Sequence, residues 1–303
     1  MPLSNSITPA ARGRIVVAGA SGYLGSRLVK RFSANGYEVV ALVRSRNSLG
    51  HLKGMTGDFL VEEIRSEMSD NFSSQNCEAA FNCVASYGRR SESIGEIISA
   101  NTIFAANFFR AAAGSTARRI YQIGSALPPE INAYSLTKSH AFDWLRLTAT
   151  SAPEKQFIHL KVQQFYGPGE EEDKLITYLL NQLGTGGPPL KLTDGTQRRD
   201  VIYIEDLLSA IETIFEKYGK FGLTEFELGS GQSIAVRDIV LEVAKAIQSN
   251  RKLDFGSITR RAGEPENLCA NITALRDLGW APKWSLTEAL VEMTASLSPE
   301  KPA

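Results

Sequence analysis

Cysteine and histidine are scarce in this sequence, and neither is arranged as a set of metal ligands. The 303-residue chain has three cysteines and three histidines. Cys77, Cys83 and Cys269 lie far apart, and none belongs to a C-x-x-C pair. A disulfide framework or a zinc site is therefore not expected, and no metal is predicted. Because free thiols persist where glutathione keeps them reduced, we expect a cytoplasmic protein.

The sequence also lacks an excess of charge of either sign. It has 33 Lys and Arg against 33 Asp and Glu, so its formal net charge is zero. Neither nucleic acid nor a membrane surface is an expected partner, because no polybasic segment is present. No apolar run approaches the ~18 residues that a membrane-spanning helix needs. Residues 1–12 show no signal-peptide pattern and are expected to form a flexible tail.

Strand-like and helix-like patterns of hydrophobic residues alternate along the first half of the chain. Short β-rich runs and helical stretches follow one another over residues 14–125. This alternation predicts the α/β class, with a Rossmann-type doubly wound parallel sheet and a smaller C-terminal lobe. The domains expected are 13–166 and 167–303, partly interleaved. The predicted strands are 14–19, 38–43, 79–85, 119–123 and 157–162, and the predicted helices are 23–34, 97–113, 133–148, 236–248 and 285–294.

Three glycines are spaced as G-x-x-G-x-x-G between the first predicted strand and the first predicted helix. Glycines let backbone N–H groups approach a pyrophosphate, and the helix N-terminus favours an anion. An ordinary strand–helix turn is the alternative, but the strand before and the amphipathic helix after favour phosphate binding. The candidate cofactor-binding residues of this loop are Gly19, Ser21, Gly22, Tyr23, Leu24 and Gly25.

The end of the second predicted strand indicates which dinucleotide would bind. An acidic residue there would bond the ribose 2′-OH, whereas an arginine accommodates a 2′-phosphate. Arg44 and Arg46 stand at this place without a carboxylate beside them. NADP(H) is therefore the predicted cofactor, held in part by Arg44. The alternative is that Arg44 is a solvated charge at a strand end.

A tyrosine and a lysine lie four residues apart at the start of the predicted helix 133–148. This spacing places Tyr134 and Lys138 on one helix face. A nearby ammonium lowers the pKa of a phenol, which then exchanges a proton with a carbonyl or alcohol oxygen. Ser125, at the end of the preceding strand, is the expected hydroxyl partner. A surface Tyr–Lys pair and a turn-capping serine are the alternatives.

These motifs, in this order, resemble the extended short-chain dehydrogenase/reductase family of sugar-nucleotide epimerases, dehydratases and reductases. The resemblance covers residues 14–290. Beyond the glycine loop and the Ser, Tyr and Lys positions, it rests on Asn101, the Tyr-Gly-Pro-Gly turn at 166–169, and segments at 195–206, 227–232, 261–265 and 278–283. It implies that the C-terminal lobe binds the substrate, a nucleotide sugar.

The family also implies roles for residues outside those motifs. It places Asp58, Ala85 and Asn101 at the cofactor. It further implies four substrate-binding residues. Two of them are arginines at positions whose guanidiniums hold the nucleotide diphosphate, and a third stands where relatives usually have asparagine. The substrate-binding residues are Gln164, Lys191, Arg199 and Arg261.

Departures from the family pattern reduce the number of reactions that this chain is expected to catalyse. Dehydratases carry Asp-Glu after the Ser position, but Ala126 and Leu127 follow Ser125 here, which disfavours dehydration. Two enzymatic interpretations are left, a C4 epimerase with bound NAD and an NADPH-dependent 4-ketoreductase. Arg44 favours the ketoreductase, and several segments are most similar to the CDP-paratose/CDP-abequose synthase type, which reduces CDP-4-keto-3,6-dideoxyhexoses.

A non-catalytic NADPH-binding regulatory protein is the third interpretation. Such proteins typically lose the Tyr–Lys pair, which is present here. Relatives often form homodimers through the two helices that here begin near residues 97 and 133. Phe104, Phe108 and Phe109 would suit that interface, and core burial explains them equally well.

Overall fold

The computed structural model describes residues 12–72 and 76–297. The predicted tail, apart from Arg12, lies outside the described residues. The helices are α1 Tyr23–Ala34, α2 Ile94–Ile98, α3 Phe104–Ala113, α4 Ala133–Ser151, α5 Leu175–Gly184, α6 Ile204–Lys217, α7 Val236–Ala246, α8 Thr273–Asp277 and α9 Leu286–Leu297. The strands are β1 Arg14–Ala18, β2 Glu38–Val43, β3 Phe59–Glu63, β4 Cys77–Asn82, β5 Arg119–Ile123, β6 Gln156–Val162, β7 Gln164–Tyr166, β8 Leu190–Leu192, β9 Arg198–Tyr203, β10 Gly222–Leu228, β11 Ser233–Ala235, β12 Leu253–Phe255 and β13 Asn267–Leu268.

Seven parallel strands form the main sheet, in the order β3-β2-β1-β4-β5-β6-β10. The predicted Rossmann-type doubly wound fold is therefore confirmed. The order of the strands reverses between β1 and β4, and such a switch point opens a crevice at the carboxyl ends of the strands. That crevice is where a ligand is expected.

Both faces of the sheet are covered, which explains why its strands are apolar throughout. Ile15 and Val17 of β1 face one core layer with α1 and α6, whereas Val16 faces the other. The second layer includes Phe108 of α3 and Leu145 of α4. Successive residues of a strand point to opposite faces, so one strand serves both layers.

The helix predicted over 97–113 is longer and less regular than expected. It begins at Ile94, where Ser93 and Glu96 form a capping box. A π-helical turn, Ser99–Ile103, separates α2 from α3. Single π turns within helices occur frequently at functional sites, and this turn carries Asn101.

Shorter strands beyond residue 163 form two further sheets. Strand β9 pairs with β11, β13 and β7, and β8 pairs with β12. Strand β10, however, joins the main sheet beside β6. The domain boundary at 166/167 stays a prediction. No helix in the described part of the chain is long and apolar enough to cross a membrane.

Candidate active site

The glycine loop between β1 and α1 is packed too closely for side chains at two of its glycines. Gly19 has φ +73°, and a Cβ there would lie 2.8 Å from the Cys83 carbonyl carbon. A Cβ on Gly25 would lie 2.2 Å from the Gly19 oxygen. Gly22 caps α1 and donates its N–H to the Gly19 oxygen at 3.0 Å. The first turn of α1 carries no acidic residue. This arrangement of bare backbone at a helix N-terminus fits a dinucleotide pyrophosphate.

Three predicted loop residues turn their side chains to different surroundings. Tyr23 is buried, stacks on Phe165 with ring centroids 6.1 Å apart, and lies under the Arg27 guanidinium at 3.6 Å. Leu24 is buried in the core, whereas Ser21 is half-buried and its carbonyl accepts from the His51 N–H. Tyr23 and Leu24 can therefore serve a phosphate only through backbone groups.

Arg44 extends from the carboxyl end of β2 and is exposed. No ion pair involves Arg44 among the described residues. Glu63 ends the neighbouring strand β3 and accepts the Arg46 N–H at 2.7 Å. Glu63 was not among the predicted site residues, because a carboxylate on the adjacent strand has no local signal in the sequence.

Asp58 does not lie at the carboxyl edge of the sheet, so the prediction that it binds the cofactor is wrong. It precedes β3 and exchanges hydrogen bonds with Ser33 near the end of α1, each at 3.0 Å. In a parallel sheet the amino end of a strand lies at the edge opposite to its carboxyl end. Asp58 is therefore on the far side of the sheet from the glycine loop.

Asn101 holds the loop that follows β4, and this loop contains Ala85. Asn101 is buried and bonds both backbone groups of Ser86, through Oδ1 at 2.7 Å and Nδ2 at 2.9 Å. Its Nδ2 also lies 2.9 Å from the Thr137 hydroxyl. Ala85 is exposed beside it. Asn101 thus ties the loop after β4 to α4, and its predicted contact with the cofactor stays a prediction.

Tyr134 and Ser125 are brought together at the carboxyl edge of the sheet. Asn132 caps the N-terminus of α4, and its side chain accepts the Ser135 N–H at 2.9 Å, so Tyr134 lies in the first turn of the helix. Ser125 follows β5, and its hydroxyl is near enough to the Tyr134 phenol to lower the pKa of that group. The Tyr87 ring packs against Tyr134 with centroids 4.7 Å apart. The fold therefore brings Ser125 and Tyr134 close together, and the role of Ser125 as hydroxyl partner stays a prediction.

The cation that lowers the pKa of Tyr134 is not Lys138, which the sequence predicts. Burial raises the pKa of Tyr134 well above its usual range, whereas the charge of Lys174 and the neighbouring Ser125 hydroxyl lower it. Burial also lowers the pKa of Lys138, to about 8. The Lys138 Nζ donates to the Val84 carbonyl at 3.2 Å. In this state the cation acting on Tyr134 is Lys174, because Lys138 is drawn toward the loop after β4.

Lys174 and Tyr87 are site residues that no sequence motif indicated. Lys174 precedes α5, and its Nζ lies 3.6 Å from the centroid of the Tyr87 ring. The Tyr87 ring thus contacts both Lys174 and Tyr134. A lone tyrosine and a lone lysine far apart in the chain carry no recognisable spacing, so only the fold reveals this contact.

Gln164 and Lys191, two of the predicted substrate residues, lie on different strands. Gln164 starts β7 directly after β6, and the neighbouring Gln163 N–H bonds the Leu228 carbonyl at 2.8 Å. This places Gln164 at the carboxyl edge of the main sheet. Lys191 is exposed on β8 beside Asp254 of β12.

The two arginines predicted to bind the diphosphate differ in burial and in their ion pairs. Arg199 of β9 is nearly buried and forms an ion pair with Glu264. It also donates to the Pro265 carbonyl at 2.9 Å. Arg261 is exposed, and no ion pair involves it within residues 12–72 and 76–297. Arg199 thus holds the turn that carries Arg261.

Comparison with known proteins identifies related sequences. A profile of the NAD dependent epimerase/dehydratase family matches residues 15–225. A CDP-abequose synthase from Salmonella typhimurium is 25% identical over 305 residues, which cover 93% of this chain and 98% of that protein. A UDP-glucose 4-epimerase from Pisum sativum is 23% identical and covers 92% and 94% of the two chains.

Solved structures share the fold. The UDP-glucuronic acid 4-epimerase from Bacillus cereus, in complex with UDP-glucuronic acid and NAD, superimposes with a TM-score of 0.80. It is 20% identical, and the match covers 94% of this chain and 100% of that one. Within the described residues, no group of three or more His, Cys, Asp or Glu could hold a metal ion.

Proposed function

Because the chain belongs to the NAD dependent epimerase/dehydratase family, we propose that it is a sugar-nucleotide 4-ketoreductase. It would use NADPH to reduce the C4 keto group of a nucleotide-linked 4-keto-6-deoxy or 3,6-dideoxy hexose. The observation that supports this proposal is that the Ser125 hydroxyl lies near the Tyr134 phenol, at the edge of the sheet where the glycine loop lies.

The residues present fit a dinucleotide at this edge. The 19–25 loop and the start of α1 would hold the pyrophosphate. Arg44 would bind the 2′-phosphate, because its guanidinium is exposed and free of ion pairs in the described chain. When bound, NADPH supplies the hydride that the ketone accepts.

Tyr134 is suited to act as the acid of this reaction. Its raised pKa keeps the phenol protonated at neutral pH, so a proton is available for the developing alkoxide at O4. Ser125 would donate a hydrogen bond to the same oxygen and fix its position. Lys138, protonated below a pKa of about 8, would bind the nicotinamide ribose and return a proton to Tyr134.

The substrate would lie between this edge and the strands beyond residue 163. Arg261 would bind the diphosphate directly, and Arg199 would support it from its bond to Pro265. Gln164, the first residue of β7, would face the sugar. A CDP-sugar is favoured because a CDP-abequose synthase is similar along nearly the whole of both chains.

A C4 epimerase that retains NAD is the second candidate. The observation in its favour is Glu63 at the end of β3, a carboxylate near the predicted ribose position. Epimerases among the relatives also span most of this chain. A protein that only binds NADPH is disfavoured, because such proteins typically lose the Tyr–Lys pair and this sequence keeps Tyr134 and Lys138.

Nicotinamide oxidation by the purified protein tests the proposal. NADPH and NADH are offered separately with CDP-, dTDP-, UDP- and GDP-linked 4-keto-6-deoxyhexoses, including the 3-deoxy CDP form. We expect rapid NADPH consumption with the 4-keto sugar linked to one of these nucleotides, and we expect that nucleotide to be CDP. No consumption with any ketone, together with C4 inversion of a nucleotide hexose by protein carrying bound NAD, would establish the epimerase instead.

We also propose a homodimer formed through α3 and α4. Phe108 and Phe109 are fully buried under these helices and take no part in an outer surface, so core burial accounts for them. The exposed apolar residues on this face are Ile103, Trp144 and Leu147. Exposed apolar area that lines a groove between two helices is suited to a second copy of the chain.

A further inference from the structure

The segment 167–174, between β7 and α5, connects two parts of the candidate active site. Its first residues lie on the start of α1. Arg27 donates to the Pro168 carbonyl, and a Cβ on Gly167 would lie 2.7 Å from the Tyr23 hydroxyl. Tyr23 is the first residue of α1 and directly follows Gly22 of the glycine loop. This end of the segment therefore lies beside the predicted pyrophosphate site.

The other end of the segment contacts the loop that follows β4. Arg89 Nη1 of this loop lies 3.2 Å from Asp173 Oδ2, and it also donates to the Asp173 carbonyl at 3.4 Å. Lys174 Nζ lies 3.6 Å from the centroid of the Tyr87 ring, and this ring packs against Tyr134. The second end of the segment is therefore held close to the candidate acid of the reaction.

A bound dinucleotide would have to connect the same two places. Its pyrophosphate belongs at the glycine loop. In the proposed reaction its nicotinamide must reach the same carbonyl group as Tyr134. The segment 167–174 thus joins the two places that the cofactor has to join, at the carboxyl edge of the main sheet.

The contacts at the two ends of the segment differ in exposure. Arg27 is half-buried, lies over the Tyr23 ring at 3.6 Å and also donates to the Tyr23 carbonyl at 3.1 Å. The side chains of Arg89 and Asp173 are 48% and 51% exposed. An exposed ion pair stabilises a contact only weakly and is screened by salt. The segment should therefore open at its Asp173 end and stay attached at its Pro168 end.

We propose that the segment 167–174 is a strap across the bound dinucleotide, and that the Arg89–Asp173 ion pair controls how fast the cofactor is released. The inference rests on the proposed ketone reduction, in which the oxidised cofactor must leave after every turnover. An epimerase that regenerates its bound NAD needs no such exchange. A single exposed ion pair suits a strap that opens repeatedly, because breaking it costs little free energy.

Release of NADPH tests the strap without any turnover. The full-length protein is loaded with NADPH and mixed with excess NADP+, and nicotinamide fluorescence follows dissociation. Asp173→Asn and Arg89→Gln should each raise the dissociation rate constant roughly two- to fivefold, the range expected for one exposed ion pair. The double variant should release NADPH no faster than either single variant, because both substitutions remove the same contact.

The signs of the two substitutions separate a strap from a simple charge effect. Arg89→Gln removes a positive charge, whereas Asp173→Asn removes a negative one. If these charges only attracted or repelled the anionic cofactor, release would become faster in Arg89→Gln and slower in Asp173→Asn. The strap predicts faster release in both variants.

The neighbouring arginine provides a matched control. Arg90 is exposed beside Arg89, and no ion pair of the described residues involves it. Arg90→Gln should therefore release NADPH at the wild-type rate. Equally fast release from Arg90→Gln and Arg89→Gln would assign the effect to surface charge and overturn the strap.

Exchanging the two charges and raising the salt concentration provide independent tests. Arg89→Asp alone places two carboxylates together and should give the fastest release. Combining it with Asp173→Arg restores an ion pair of opposite direction, and release should slow again toward the wild-type rate. High salt should reduce the difference between the wild type and Arg89→Gln, because only the wild type has an ion pair to screen.

The outcomes separate the strap from the function that it serves. Wild-type release rates in both Arg89→Gln and Asp173→Asn, or changes of opposite sign, would overturn the strap while the ketoreductase stands. A wild-type protein that oxidises no nicotinamide with any ketone overturns the proposed function. The same variants, loaded with NADH and mixed with excess NAD+, would then still decide whether the strap exists. A protein that binds neither dinucleotide would overturn both proposals.

Discussion

The Arg199 guanidinium donates to the Pro265 carbonyl oxygen at 2.9 Å, and its other end is ion-paired with Glu264. Arg199 of β9 thereby holds the 261–265 turn through contacts with two of its residues. An anion that reached this turn would compete with Glu264 for the same guanidinium. Substrate affinity should therefore depend on this ion pair.

Glu264→Gln should free Arg199 for the diphosphate. We expect a lower KM for the nucleotide sugar and an unchanged kcat. Because a nearly buried cation loses its partner, the free energy of unfolding should fall by about 3 kcal/mol. Steady-state kinetics and thermal denaturation measure the two effects, and Glu266→Gln, on an exposed partner of Arg260, is the control. A raised KM would mean that Glu264 supports substrate binding.

Tyr134→Phe should abolish proton donation without disturbing the fold. We expect kcat to fall by roughly 10²- to 10⁴-fold, the usual contribution of general acid–base catalysis. Binding of nucleotide sugar, measured by calorimetry, should be nearly unchanged. Tyr178→Phe, on an exposed tyrosine of α5, is the matched control. Normal turnover of Tyr134→Phe would show that the assigned acid is wrong.

Deprotonation of Lys138 should lower the activity of the free enzyme at alkaline pH. Its lowered pKa means that the ammonium loses its proton as the pH rises through about 8. The value of kcat/KM for reduction should therefore decrease above that pH. Lys138→Arg keeps the charge, so this limb should move to higher pH even if the activity is lower. A pH profile that is flat between about 7 and about 10 in the wild type would contradict the assignment.

Arg44→Ala should weaken NADPH binding and leave NADH nearly unaffected. A charge-assisted hydrogen bond contributes about 1.5–3 kcal/mol, so KM for NADPH should rise roughly 10- to 100-fold. Arg146→Ala, on an exposed arginine paired with Asp143, controls for a change in surface charge. Equal KM values for NADPH in Arg44→Ala and in the wild type would remove the reason for preferring NADP(H).

Leu147→Glu should disrupt the proposed dimer. This leucine is 58% exposed on α4, and a carboxylate there would be buried against the second copy. Sedimentation should detect a dimer for the wild type and a monomer for the variant. Val291→Glu on α9, similarly exposed but away from this face, should keep the wild-type mass. A wild-type monomer at all concentrations would exclude the homodimer.

Local sequence patterns determined much of the fold and the parts of the site that belong to one element. The glycine spacing, the apolar runs and the cap of α4 act over a few residues, so α1, β2 and β5 occur at the predicted positions. The Tyr134–Lys138 spacing likewise needs only a helix. The fold class followed from the order of these elements, because parallel strands require helical crossovers.

Only the tertiary structure decided which distant residues meet. It placed Asp58 at the wrong edge of the sheet for a cofactor, since a strand's direction separates its two ends. It brought Lys174 to Tyr87 and Tyr134, and thereby gave the phenol a different cationic neighbour from the one expected. It also aligned His159 with Glu225 beneath α4. Charge and burial depend on such non-local packing, which short-range patterns do not encode.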